Sequence, residues 1–65
     1  MDYRERILEI VKLSPVVPSN IAKQLETDTI MAGAMLAEMC DRKILKTSAM
    51  RVGGSPLYYV PGTEA

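Results

Sequence analysis

Apolar residues recur at helical spacing as far as about Arg42 and then give way to β-branched and alternating runs. That single change of period divides the chain into a helical part and a hairpin part. Within the helical part, Tyr3, Ile7, Ile10 and Val11 fall on one side of a helix running roughly from Asp2 to Leu13, with Asp2 as its cap and Glu5 three positions on. The prolines of Ser14-Pro15-Val16-Val17-Pro18 forbid helix there, and the valine pair favours an extended segment or a very short strand. Ser19 is expected to cap a brief second helix whose inner face is Ile21, Ala22 and Leu25. Glu26-Thr27-Asp28 interrupts the period with a further capping signal, and a third helix is predicted from about Thr29 to Arg42.

Two strands are expected beyond it, Ile44 to Val52 and Leu57 to Val60, around Gly53-Gly54-Ser55-Pro56. A four-residue loop there sets Val52 opposite Leu57 and Met50 opposite Tyr59. The predicted class is α+β, with residues 1–60 as one domain and 61–65 as a tail or the start of a linker. A chain of 65 residues can bury only about 60% of the surface its unfolded form exposes, so there is room for one thin core. Lacking Trp and Phe, that core must be aliphatic and rich in Met.

Several function classes lose ground on composition alone. Without His there is no ready base for a Ser or Cys nucleophile, and no cluster of metal-ligand spacing is present, so an enzyme is not expected and no cofactor is implied. Cys40, the sole cysteine, falls one turn beyond Leu36 and reads as a small buried hydrophobe in a reducing, cytoplasmic setting. Glu38 and Asp41 read as a solvated face, and Gly53-Gly54 as a hairpin turn, because a phosphate cradle lies between a strand and a helix N-terminus. The apolar run Ile30 to Ala37 is far short of the roughly 20 residues of a membrane span. Neither a membrane nor a small-molecule substrate is expected as a partner.

The stretch Ile21-Ala22-Lys23-Gln24-Leu25, a three-residue turn, and a helix holding Leu36 and Met39 and leading into Arg42-Lys43-Ile44-Leu45-Lys46 resembles the winged helix-turn-helix family, in its archaeal-type form. Gly53-Gly54-Ser55-Pro56-Leu57-Tyr58-Tyr59-Val60 resembles that family's wing and its return strand. The resemblance covers roughly residues 3 to 60. It implies a three-helix core with a C-terminal β-hairpin wing, and a binding role connected with transcription or other DNA transactions. The family often has Gly where Glu26 stands, so a differently shaped turn is expected between the second and third helices.

Two partner classes remain open at this point. Double-stranded DNA would be held at phosphates by Lys23, Arg42, Lys43, Lys46 and Arg51, with Thr29 as a weak base or phosphate contact, giving weak binding with little sequence preference. A protein, either a second copy or a neighbouring domain, would be met by Ile30, Met31, Ala34 and Ala37 on the outer face of the third helix. That face has no cation before Arg42 and offers nothing to read base edges. Arg42 and Lys43 also complement the negative end of the helix dipole.

Overall fold

The computed structural model describes residues 3–62. Three helices, α1 (Tyr3–Leu13), α2 (Pro18–Leu25) and α3 (Thr29–Asp41), precede an antiparallel hairpin of β1 (Lys46–Val52) and β2 (Ser55–Tyr59), which makes the fold α+β. The expected cap at Asp2 and the tail residues 63–65 lie outside the described residues. Of the described helices, none is long and apolar enough to cross a membrane.

α1 turns Ile7 and Val11 into the core, with Leu8 and Ile10 packed at its margin. Tyr3, one turn earlier, stands in solvent, because the thin core does not reach that far along the helix. The helix stops where Pro15 excludes the α region for its predecessor. Val16 then runs extended beside Tyr58, its N–H donating to the Tyr58 carbonyl at 3.0 Å and its carbonyl accepting from Tyr58 N–H at 2.8 Å. β2 therefore lies between this bridge and β1.

α2 begins one residue earlier than Ser19 predicts. Pro18 occupies the first helical position, where its fixed φ suits the helix and its missing N–H costs nothing. Val17 is the N-cap, and its N–H donates to Asn20 Oδ1 at 3.0 Å, so Asn20 provides the reciprocal half of a capping box. The other end carries a Schellman motif. Thr27 N–H donates to the Ala22 carbonyl at 2.9 Å, and Glu26 N–H to that of Lys23 at 3.4 Å. Glu26 itself is left-handed, with φ 55° and ψ 47°. The turn thus has the shape a glycine would give it, contrary to expectation, and a non-glycine residue bears the strain.

α3 opens on Asp28, whose Oδ1 accepts from Met31 N–H at 2.6 Å. Ala32, Leu36 and Met39 face inward and are fully buried, and Met35 and Cys40 pack at the margin. The helix ends at Asp41, one residue short of the prediction, in a second Schellman motif. Ile44 N–H donates to the Met39 carbonyl and Lys43 N–H to that of Cys40, both at 2.9 Å, with Lys43 left-handed at φ 63°.

The hairpin turns on Gly53-Gly54 alone. Their φ values of 60° and 84° suit the mirror-image turn that matches strand twist, and Val52 faces Ser55 while Arg51 faces Pro56. The four-residue loop and the Val52–Leu57 and Met50–Tyr59 pairs are therefore corrected. Further down, Lys46 faces Tyr59 and Thr47 faces Tyr58, so Ser48, Ala49 and Met50 bulge out opposite Leu57. Met50 N–H donates to Ser48 Oγ at 3.1 Å within that bulge. The core gathers Ile7, Val11, Val16, Ile21, Ala22, Ala32, Leu36, Met39 and Leu45, with Leu25, Ile44, Tyr58 and Val60 half-buried around it. No charged or polar residue is buried among the described residues.

Candidate interaction surfaces

Helix period and the Asp28 cap together set which residues of α3 look outward. The inward positions Ala32, Leu36 and Met39 leave Ile30, Met31, Ala34, Ala37, Glu38 and Asp41 on the solvent side, and all six are exposed. Ile30 is 86% exposed and Met31 52%, at the end of the helix nearest the α2–α3 turn. Thr29 beside them is exposed as well. From Thr29 to Asp41 the helix carries no cation.

The basic residues do not form one site. Lys43 and Lys46 flank one cleft with Cys40, Leu45 and Thr47, and Arg42 lies exposed at the C-cap of α3. Lys23 lines a separate cleft, between α2 and the end of α1, with Ile10, Pro15 and Asn20. Side chains alternate along β2, so Tyr59 and Leu57 share one face of the hairpin and Tyr58 and Pro56 the other. Lys46, opposite Tyr59, and Arg51, opposite Pro56, consequently lie on opposite faces. The Arg51 guanidinium also donates from Nη1 to the Gly54 carbonyl at 3.0 Å, which ties it to the hairpin turn.

A second apolar surface comes from segments far apart in sequence. Leu13 and Pro15 beyond the end of α1, Met50 of the bulge, and Leu57 and Tyr59 of β2 line a cleft of about 470 Å³. Leu13 is 89% exposed and Met50 64%. Lys12 is the one charged residue among those lining the cleft, and Lys46 shares the hairpin face of Tyr59. No helical or strand period points to this cleft, because its members come from three segments. The sequence does carry an accompanying signal in its charges. Residues 26–41 hold Glu26, Asp28, Glu38 and Asp41 with no base, and residues 42–62 hold Arg42, Lys43, Lys46 and Arg51 with no acid.

Cys40 is half-buried rather than buried. Burial, and to a lesser degree the Asp41 carboxylate, pushes its thiol above the usual range, which leaves little thiolate at neutral pH. Among the described residues no three His, Cys, Asp or Glu side chains gather where a metal ion could be held. Comparison of the chain with protein-family models, with curated proteins and with solved structures gives no match.

Proposed function

We propose that this chain is a winged helix-turn-helix module that acts without catalysis, by docking protein on the outer face of α3. The order of helix, bridged extended segment, helix, tight turn, helix and hairpin supports the winged-helix reading. The observation that carries the docking role is Ile30, a large aliphatic side chain left 86% exposed on the side of α3 that faces away from the core. Met31, Ala34 and Ala37 extend the surface along the same face, and contiguous exposed apolar area marks interaction sites. A helix reading bases in the major groove needs amide, hydroxyl or cationic side chains there. α3 presents only Thr29 at its start, with Glu38 and Asp41 further along.

DNA is the second reading, favoured by the run of four bases without an acid from Arg42 to Arg51. The contacts would be to phosphates, from Lys43 and Lys46 at their shared cleft and from Arg42 beside them, with a regulatory role in transcription as the resemblance implies. Site-specific photo-cross-linking separates the two readings. A cross-linking amino acid at Ile30 or Ala34 is expected to give discrete protein adducts, whereas one at the exposed Glu9 of α1 gives none. Cross-linking of positions 30 and 34 to duplex DNA, together with sequence-selective binding at physiological salt, would overturn the docking role.

A further inference from the structure

We propose that the protein docked by α3 is a second copy of this chain, and that the surface receiving it is the cleft between the end of α1 and the hairpin. This proposal rests on the docking role assigned to α3 above. Its first support is charge. The turn before α3 and its outer face carry Glu26, Asp28, Glu38 and Asp41 and no base, whereas the cleft is lined by Lys12 and no acid, with Lys46 on the Tyr59 face of the hairpin. Opposite charges on the two surfaces favour α3 against the cleft over α3 against α3. The net charge of +0 removes any overall repulsion between copies.

The second support is apolar shape. Ile30 and Met31 protrude from the acidic half, and Leu13, Met50, Leu57 and Tyr59 line a cleft whose charged member is Lys12. One copy therefore offers both a projection and a recess of opposite charge. Area gives the third support. A stable interface covers about 800 Å² on each partner, more than the α3 patch alone supplies, since apolar patches on monomers run about 300–600 Å². Two equivalent contacts about a two-fold axis use both surfaces of each copy and approach the required area.

The test is sedimentation equilibrium of the chain and its variants from micromolar to millimolar concentration, with melting curves to show that each variant is folded. The parent is expected to dimerise, and more weakly as salt rises. Ile30→Arg and Met50→Arg, both at exposed positions, should each weaken dimerisation by about tenfold or more. Ala34→Arg and Leu13→Arg repeat the test on each surface should either variant fold poorly. Mixing Ile30→Arg with Met50→Arg leaves one intact projection and one intact recess, so a heterodimer should form where neither variant pairs alone. A Met50→Arg variant that dimerises as the parent does would overturn the receiving surface. A parent that stays monomeric to millimolar concentration would overturn self-association. In that event, protein adducts of another mass at position 30 leave the docking role standing, and their absence removes both.

Discussion

Replacing Glu26 by Gly should stabilise this protein, although the change deletes a side chain and adds backbone freedom. Glu26 is held left-handed at φ 55° by the hydrogen bonds of Thr27 and Glu26 back to Ala22 and Lys23. For an L-residue this conformation costs about 1–2 kcal/mol, which glycine does not incur. Against the gain stands the extra entropy that glycine loses on folding, about 0.5–1 kcal/mol. Removing a carboxylate from the negative end of α2 adds a further ~0.3 kcal/mol or more. The balance is a gain of about 1 kcal/mol, or about 4–8 °C in Tm for a domain of this size. Thermal melts of Glu26→Gly and Glu26→Ala make the test. Alanine removes the same charge but keeps the strain, so its effect should stay within a few tenths of a kcal/mol. Equal gains from both, or a loss with glycine, would refute the assignment of strain to Glu26. Lys43→Gly serves as a comparison, and its gain should be smaller because the lysine it removes favours the end of α3.

Gly33 lies within α3, and a Cβ added there meets nothing within 4 Å, so Gly33→Ala should raise stability by about 0.5–1 kcal/mol in a denaturant titration. Leu36 is fully buried among Ile7, Ile21 and Met39, and Leu36→Ala should cost about 2–5 kcal/mol, enough to abolish a cooperative melt in so small a domain. In fluorescence titrations with unrelated duplexes, any binding should show Kd values of about 10⁻⁴ to 10⁻⁶ M at physiological salt that rise steeply with added salt, and Lys46→Glu should weaken it alike for all of them. The Cys40 thiol, raised by burial and by Asp41, should be alkylated more slowly in the folded than in the unfolded chain. Because its folded pKa is the higher, the associated stability is complete below the unfolded thiol value of about 8.5 and is lost as pH rises through the folded one.

Three helices and a hairpin were legible because each rests on a local signal: the period of Ile7 and Val11, the prolines at 15 and 18, the Asp28 cap, the paired glycines. The errors fall where two local signals compete. Ser19 has the chemistry of an N-cap, yet Pro18 is already set for the first helical position and Asn20 supplies the acceptor. Ser55-Pro56 reads as turn, yet Gly53-Gly54 alone meets the demand for two positive φ values, and Pro56 is tolerated near the start of β2, away from the Val16 bridge. The bulge at Ser48–Met50 follows from register and not from composition, which hid the cleft beneath Met50. Glu26 departs from expectation for a different reason: the local hydrogen bonds that close α2, from Glu26 and Thr27 N–H to the Lys23 and Ala22 carbonyls, override the preference for glycine.

The two left-handed residues also bear on how the surfaces arise. Glu26 and Lys43 close α2 and α3 with the same motif, so the chain reverses sharply at both ends of α3. The buried residues Ile21 and Ala22 are thereby set beside Ala32 and Leu36, and Leu45 is folded back under Met39. Fixed at both ends by sharp reversals, α3 spends its inward stripe on the core and, among the described residues, has no neighbouring element on its outer side. Where no described residue covers it, the apolar content beyond the stripe stands in water or meets a partner. Ile30 and Met31 stand there because Asp28 caps the helix immediately before them, and Leu13 and Met50 because Pro15 and the bulge turn the backbone away from the core. Ile30 and Met31 thus follow the reversal at Glu26, Leu13 precedes that at Pro15 and Met50 lies in the bulge, while the reversal at Lys43 marks the change from the acidic segment to the basic one. The same backbone features that complete the core therefore distribute apolar area and charge into two unlike surfaces, the arrangement from which reciprocal pairing of α3 with the hairpin follows.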